Sequence, residues 1–362
     1  MLLLDNIIFS LQHAGGISVV WKEHLTRLLK DTTLSSIDKL FIEYDNAQNN
    51  IFRKDLEIPK PNIISRSDRG LFFRRYFSPT LSFNKYNNII FHSSYYRTLD
   101  KAKNITTIHD FTYEFYRKGL SKKIHSWQKI HAALSSDRII CISNNTKEDL
   151  LRLVPTIDEN KVEVVYNGVD ETFHQLKDHK IQLKENPFSN EEYLLYVGDR
   201  TALYKQFDLA VNTALKFKRP LVIVGKPLNK IEYEKLNKIR YQVLSGLSSE
   251  KLNILYNNAF CLLYPSLYEG FGLPIIEAQK AGCPVIAGAN SSIPEIIGIN
   301  GLALKELNVN TIIEVLKALE NTNYRDFIIK EGIMNSERFS WDKTYKQTIN
   351  IYKSLIEFIS NN

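Results

Sequence analysis

The chain has little cysteine and no long apolar run, and each shortage excludes a class of protein. Three cysteines in 362 residues (Cys141, Cys261 and Cys283) give neither a disulfide framework nor metal-like spacing. Cys141 and Cys261 fall inside the apolar runs RIICIS and FCLLYPS, where a buried reduced thiol is expected, so the chain reads as cytoplasmic. No run approaches the roughly 18–20 apolar residues needed to cross a bilayer. The N-terminus, MLLLDNIIFSL, has no basic leader and meets Asp5 at once, which reads as a first strand rather than a signal peptide. There is no HExxH, Asp-x-Asp pair or Cys/His cluster, so no protein-bound metal is expected. The missing strand–turn–helix G-x-S-x-G disfavours an α/β-hydrolase. No solenoid repeat or low-complexity linker is present.

What is there describes an ordinary globular protein, with 44% hydrophobic residues and a mean hydropathy of −0.24. Its length suits about two domains, each with its own core. The net charge of +7 is unevenly spread: residues 1–180 hold 26 Lys+Arg against 21 Asp+Glu, and the remainder 21 against 19. Two stretches carry the excess. Residues 53–75 contain seven basic and three acidic residues and run into GLFFRRYF, and 115–136 contain Arg117, Lys118, Lys122, Lys123 and Lys129 with no acid. A charge run is most often a solvated face. Interleaved with Tyr116 and Trp127, these residues also suit anionic lipid headgroups or a phosphorylated acceptor, which allows a peripheral place on the inner face of the plasma membrane. No nucleic-acid motif accompanies them, and no nucleic-acid partner is expected.

Short β-rich runs alternate with helical patterns throughout. LLLDNIIFSL, KLFIEY, NNIIFHSS, NITTIHD, RIICIS and KVEVVYNG form one series, and YLLYVG, PLVIVGK, YQVLSG, FCLLYPS and PVIAG a second. Helices are expected between them, at 118–135, 144–153, 205–217, 229–239 and 248–258 among others. This rhythm predicts βαβ units and parallel sheets with right-handed crossovers. The expected division is a first domain over 1–170, a polar linker over 171–190, a second domain over 191–339, and an amphipathic helix over 340–362 starting near a Ser340 cap. Two such α/β halves facing each other create a cleft between domains, at the C-terminal ends of both sheets, where ligands bind.

Chemistry concentrates in 264–284, YPSLYEGFGLPIIEAQKAGCP. Glu269 lies in the loop and Glu277 early in the helix that Leu273-Pro274 starts, since proline suits a first helical turn. Gly270 and Gly272 let backbone approach a ligand, and the helix N-terminus attracts an anion. The plain alternative is a strand–turn–helix corner whose Glu277 only complements the helix dipole. Elsewhere, Gly15-Gly16 follows the first strand, either as a turn or as a phosphate cradle. Arg200 and Lys205 follow the first strand of the second half and could flank a diphosphate, or be surface charge. His109 ends NITTIHD and points toward the cleft, its position there being the argument for a role.

PSLYEGFGLPIIEAQKAGCPVIAG, followed by SSIPEIIG and NGLAL, resembles the donor-site signature of the retaining GT-B glycosyltransferases of the glycogen synthase and mannosyltransferase kind (glycosyl transferases group 1), with Glu269 and Glu277 as the E-x7-E pair. GGIS at 15–18, TIHDFTYE at 107–114, ICISNNTKEDLL at 140–151, VVYNGVD at 164–170 and YVGDR…K at 196–205 follow in the family's order. The resemblance implies an α/β GT-B fold, two facing Rossmann-like domains with a nucleotide-sugar donor in the second and an acceptor mainly on the first. It also implies that the C-terminal helix packs back on the first domain. Glu277 would hold the ribose hydroxyls, and Glu269 with the Gly270, Phe271, Gly272 and Leu273 backbone would bind donor-sugar hydroxyls. Arg200, Lys205 and the Gly16 N–H would stabilise the leaving diphosphate in place of a metal, His109 would sit by the sugar, and Leu247 would touch the base. No cofactor is implied beyond the GDP- or UDP-linked donor itself.

The implied reaction moves a hexose, mannose or similar, with retention of configuration, onto a growing glycan or lipid-linked acceptor of a surface polysaccharide. A retaining hydrolase would place two carboxylates about 5–5.5 Å apart around the anomeric carbon; here both glutamates are assigned to binding. Two departures from the pattern stand out: Asp199 changes the charge beside Arg200, and Gln279-Lys280 replaces small or apolar residues on what reads as helix surface. Residues 45–90 match no part of the pattern. The alternatives are a GT-B-fold phosphorylase, which needs a longer chain and a pyridoxal phosphate lysine, a sugar-nucleotide epimerase, and a basic membrane-binding protein without catalysis.

Overall fold

A computed structural model describes residues 1–80, 88–177, 181, 183–188 and 192–360. The chain forms two compact units, Met1–Gly168 with Trp341–Asn362, and Val169–Ser340.

The first unit is built on seven parallel strands: β1 (Leu2–Asp5), β2 (Lys39–Tyr44), β3 (Ile63–Arg66), β4 (Ile90–Ser93), β5 (Lys103–Ile108), β6 (Arg138–Cys141) and β7 (Val162–Val164). They lie in the order β3-β2-β1-β4-β5-β6-β7. Central strands such as Leu2–Leu4, Ile90-Phe91 and Ile139–Cys141 are buried, as parallel strands covered on both faces require. The first strand is shorter than its apolar run suggests. It stops at Asp5, whose buried carboxylate takes two bonds from Arg97 at 2.8 and 2.6 Å, and Ile8–Leu11 forms a helical turn with the Ile8 amide donating to Ser94 Oγ at 3.0 Å. The edge strand β3 falls in the 45–90 region that matched no expected pattern; residues 81–87 of that region lie outside the described residues.

The C-terminal helix Trp341–Ser360 belongs to this first unit. Its Ile349, Ile351, Tyr352 and Leu355 join the core that contains Leu25 and Leu28 of helix Gly16–Lys30. Tyr352 is fully buried, and its hydroxyl is shared by His24 Nε2 at 2.8 Å and His92 Nδ1 at 2.7 Å. Burial drives both imidazoles down, His24 to about 3, so both are neutral near pH 7 and can share one hydroxyl without charge.

The second unit repeats the plan with six parallel strands: β8 (Tyr193–Val197), β9 (Leu221–Val224), β10 (Tyr241–Leu244), β11 (Ala259–Tyr264), β12 (Val285–Gly288) and β13 (Leu302–Leu304), in the order β10-β9-β8-β11-β12-β13. In both sheets the order reverses beside the first strand, between β1 and β4 and between β8 and β11. That reversal is the Rossmann-like switch point, outside whose carboxyl ends ligands bind. The segment 171–190, expected as a linker, packs with this unit instead. The amides of His174 and Leu176 donate to Asn253 and Asn257 of helix Ser249–Asn258 at 3.1 and 2.8 Å, and Phe173, Leu183 and Asn186 are buried. Residues 178–180, 182 and 189–191 of that segment lie outside the described residues. The boundary falls at Gly168/Val169, and Val169 pairs with Ser340 in an isolated parallel bridge.

Tyr352→Phe should destabilise the first unit by about 1–3 kcal/mol, since it leaves two buried imidazole nitrogens without their partner. Urea unfolding followed by tryptophan fluorescence measures this, and an unchanged midpoint contradicts the role given to that hydroxyl.

Candidate active site

In the second unit the site forms at the switch point. β8 ends in Val197 and leads through Gly198–Lys205, and β11 ends in Tyr264 and leads through Pro265–Gly272 into helix Leu273–Lys280. Gly272 is the N-cap with φ +97°, in the left-handed region, and a Cβ there would lie 3.1 Å from Ile275 Cδ1; only glycine closes this corner without strain. Pro274 occupies the first turn, where its missing N–H costs nothing. Two serines pin the loop. The Glu269 amide donates to Ser291 Oγ at 2.8 Å, and Ser292 Oγ donates to the carbonyls of Glu269 and Phe271 at 2.9 and 3.2 Å. Phe271 is buried edge-on against Phe339 at 5.6 Å.

The structure brings Lys205 and Glu269 into direct contact as an ion pair with little solvent exposure on either side. The Lys205 ammonium also lies 5.4 and 5.5 Å from the centroids of Tyr204 and Tyr264. Burial and the Glu269 carboxylate, to which its hydroxyl is bonded, hold Tyr264 well above the usual phenol range. Glu277 is half-buried. One of its oxygens accepts from Tyr256 at 3.0 Å, and burial raises its carboxyl to about 7 despite that bond. A carboxylate in this state is short of donors, so it favours a ligand that presents hydroxyl groups. Leu247 stands beyond β10, after Gly246 at φ +65°, partly buried ahead of the Ser248 cap of helix Ser249–Asn258, the helix that supplies Tyr256.

Arg200, like Lys205, is not an uncommitted cation. Its guanidinium is buried against Glu232, with Nε to Oε1 at 2.9 Å, and Nη2 donates to the carbonyls of Lys226 and Pro227 at 2.5 and 3.3 Å. Glu232 is fixed in turn by a capping box with Asn229. A buried Arg beside a buried carboxylate pairs with it, and this one retains a single buried donor, Nη1, without a partner among the described residues. Asp199 accepts from the amide and hydroxyl of Thr201 at 2.9 and 2.7 Å and so shapes the turn. Gln279, expected on the helix surface, is buried and bonded to Asn335 and to the Ile297 carbonyl at 2.7 and 2.8 Å; Lys280 pairs with Glu171.

In the first unit, Gly16 opens helix Gly16–Lys30, and a Cβ there would meet nothing within 4 Å, whereas one on Gly15 would lie 2.5 Å from Gln12 Oε1. His109 follows β5. It is buried, burial lowers its imidazole to about 4, and it is therefore neutral near pH 7. Its neighbour Asp110 caps the Thr112 amide at 2.8 Å, and Lys129 donates to the Asp110 carbonyl at 2.6 Å. Lys129 is thus no part of a basic surface: it is buried, paired with Glu114 at 2.8 Å and 4.6 Å from the Phe111 ring centroid. Arg53 is likewise buried against Glu43. The rest of both basic stretches is largely exposed, with Phe72, Phe73, Phe77, Leu120 and Trp127 each more than half exposed. Gln128 Nε2 donates to the Arg75 carbonyl at 2.6 Å, which joins helix Gly119–Leu134 to the 71–77 segment.

Sequence reasoning missed Tyr256, Tyr264, Ser291 and Ser292. The serines stand in the SSIP motif, a visible signal; the tyrosines carry none, because an apolar helix and strand interior read only as core. Among the described residues no helix is long and apolar enough to cross a membrane.

Two Rossmann-like parallel α/β units, with paired carboxylates after the fourth strand of the second, define the GT-B class. Anabaena HepE in complex with UDP-glucose has the same fold, with a TM-score of 0.73 at 14% identity over 98% of this chain and 99% of that one. Residues 42–173 match Glycosyltransferase Family 4 and residues 178–355 match Glycosyl transferases group 1. The chain belongs to the group 1 glycosyltransferase family. It is similar to an uncharacterized glycosyltransferase of Methanocaldococcus jannaschii, 27% identical over 66% of this chain and 65% of that protein. It is also similar to the O-antigen chain mannosyltransferase B of Escherichia coli, 35% identical over 29% of this chain and 28% of that one. The chain thus aligns with less than two thirds of the length of either relative.

The Glu277 environment has a measurable consequence. Its folded carboxyl, raised from 4.5 to about 7, binds a proton more tightly than in the unfolded chain, so its effect on stability is most favourable below pH 4.5 and worsens as pH rises through 7. Glu277→Gln should remove that slope and stabilise the protein at pH 8 by about 1–3 kcal/mol, read from thermal unfolding at pH 5 and pH 8. A difference independent of pH contradicts this environment.

Proposed function

We propose that this protein is a retaining glycosyltransferase that moves a hexose from a nucleoside-diphosphate sugar to a glycan or lipid-linked acceptor in surface-polysaccharide synthesis. The observation that carries the reading is the pair of carboxylates at either end of the Gly270–Gly272 corner. One is held by a cation and the other, half-buried, is short of hydrogen-bond donors. The O-antigen mannosyltransferase relative and the UDP-glucose complex of a protein with the same fold support a nucleotide-sugar donor and a polysaccharide product. Mannose is the sugar we favour.

The assigned roles follow from the chemistry. Glu277 accepts from the ribose hydroxyls, and Glu269 with the backbone of 270–273 binds the sugar. The acceptor hydroxyl attacks the anomeric carbon as the bond to the phosphate oxygen breaks, and that departing oxygen takes the acceptor proton on the same face, so configuration is retained without a protein nucleophile. Negative charge grows on the diphosphate, and Lys205, drawn from Glu269, meets it there. Arg200 contributes through its one uncommitted nitrogen and by holding the turn. His109, being neutral, leaves positive charge free to develop at the anomeric carbon. No resident metal or cofactor takes part in this scheme.

The exposed basic and aromatic face made by 69–77 and 115–131 is assigned to an anionic membrane surface, where lipid-linked acceptors reside. Exposed phenylalanine and tryptophan beside arginine and lysine suit the headgroup region.

Incubation with UDP- and GDP-hexoses tests the main claim: release of nucleoside diphosphate with transfer of the sugar is expected, whereas epimerised donor without transfer contradicts it. Glu277→Ala should raise the donor KM about 10- to 100-fold, and Lys205→Ala should chiefly lower kcat. Donor hydroxyls bind the ionised carboxylate, so donor affinity should fall as pH drops below about 7 in the native protein and be flat in Glu277→Gln. Replacing Lys118, Lys122 and Lys123 together by Gln should weaken binding to phosphatidylglycerol vesicles and leave donor affinity unchanged; equal vesicle binding returns this face to a plain solvated surface.

A further inference from the structure

Lys205 is held on several sides between the loops that follow β8 and β11. Its ammonium pairs with Glu269 and lies 5.4 Å from the Tyr204 ring centroid and 5.5 Å from that of Tyr264, within range of cation–π attraction. Backbone bonds tie the two loops. The Leu267 amide donates to the Tyr204 carbonyl at 2.8 Å, the Lys205 amide to the Ala202 carbonyl at 2.9 Å, and the Tyr196 hydroxyl to the Lys205 carbonyl at 3.4 Å. With its backbone fixed in this way, Lys205 has its side chain to move. A lysine already paired meets a diphosphate by leaving its partner first. The Glu269 side chain is 11% exposed, so water reaches it poorly, and losing a cation there with no other donor at hand is costly.

Tyr264 supplies another donor. It is the last residue of β11, it is buried, and its hydroxyl is bonded to the Glu269 carboxylate. Its ring packs against Lys205 and against the glycine corner, with Cε1 3.7 Å from the place a Cβ on Gly272 would take. Strand and corner therefore set the ring and aim its hydroxyl wherever the ammonium goes. The Glu269 backbone is fixed as well, by Ser291 and Ser292, which keeps the carboxylate within reach. Phenylalanine here would fill the same space and offer Lys205 the same aromatic face. The hydroxyl is what tyrosine adds, and its partner is Glu269.

We propose that Tyr264 is a positioning residue that acts through Glu269: its hydroxyl keeps that carboxylate partnered when Lys205 leaves for the diphosphate, and so lowers the cost of the transfer. The ammonium exchanges one anion for another, the Tyr264 hydroxyl stays on Glu269, and no covalent bond changes. The Lys205–Glu269 pair is then the resting arrangement of an empty site, opened by the donor. This rests on the glycosyltransferase reading and adds to it the residue that makes Lys205 available.

Calorimetric titration of UDP and GDP into the native protein, Tyr264→Phe, Glu269→Gln and the double variant tests this. Tyr264→Phe should weaken binding of the nucleoside diphosphate by about 10-fold, the order of one hydrogen bond to an ion-paired group. Glu269→Gln should bind it at least as tightly as native protein, since no ion pair has to open first. In the double variant the tyrosine change should cost less than about 2-fold, because a neutral amide loses little when the ammonium departs. A tyrosine that only packs the strand end would weaken binding equally in both backgrounds, and that result overturns the proposal. Full affinity in Tyr264→Phe, weakened affinity in Glu269→Gln, or binding of neither nucleotide by native protein overturns it too. Should Tyr264→Phe not fold, the Glu269→Gln titration decides by itself. Sugar transfer by the native protein in any of these events leaves the glycosyltransferase reading standing, whereas absence of transfer from UDP- and GDP-hexoses removes both.

Discussion

The second unit is organised by what it does to Glu277. Placing a carboxyl early in helix Leu273–Lys280, half-buried and with a single tyrosine donor at 3.0 Å, costs stability at neutral pH because burial favours the protonated form. Such a group is held by the packing around it: Ala278 and Gln279 are buried on the same helix, Gln279 is tied to Asn335, and Gly332 stands 3.2 Å from Gln279 at its missing Cβ. The helix cannot rotate to carry Glu277 into solvent without breaking those contacts. On the proposed role, a ligand that presents two hydroxyl groups would relieve the deficit and turn a locally unfavourable residue into a source of affinity.

The same logic separates the two glutamates. Glu269 has its charge met by Lys205 and its hydrogen bonds by Tyr264 and the serine-pinned loop, so it is held in place before any ligand arrives. Glu277 is poised near its own titration point. Two carboxylates eight positions apart across a glycine corner therefore sit in different surroundings, one met by a cation and the other short of donors, which matches a division between sugar and ribose better than paired acid–base work on one bond.

Much of this was visible in the sequence because it depended on backbone punctuation. Gly272, Pro274 and the alternating apolar runs set the corner and both sheets, and β11 and the helix after it lie where the pattern places them. Long-range pairing is what local pattern cannot show. Arg200 turns to Glu232, 32 positions away, because a buried guanidinium seeks a carboxylate. Lys129 reads as surface charge, yet it is buried against Glu114 with two aromatic rings over it. The described residues of 171–190 look like a linker because their backbone amides donate to Asn253 and Asn257 and only scattered side chains such as Phe173 and Leu183 are buried, which leaves no hydrophobic period. The first strand appears too long because Ile7 to Phe9 are apolar for packing a helical turn, not for extending a sheet.

The central claim is that Glu277 holds the ribose of a nucleoside-diphosphate donor at the switch point of the second sheet. A crystal structure of the protein with a nucleoside diphosphate tests it most directly. The account predicts both ribose hydroxyls within hydrogen-bond distance of the Glu277 carboxylate and the diphosphate at the N-terminus of helix Leu273–Lys280 near Lys205. A nucleotide bound elsewhere, or bound there with its ribose turned away from Glu277, would contradict it.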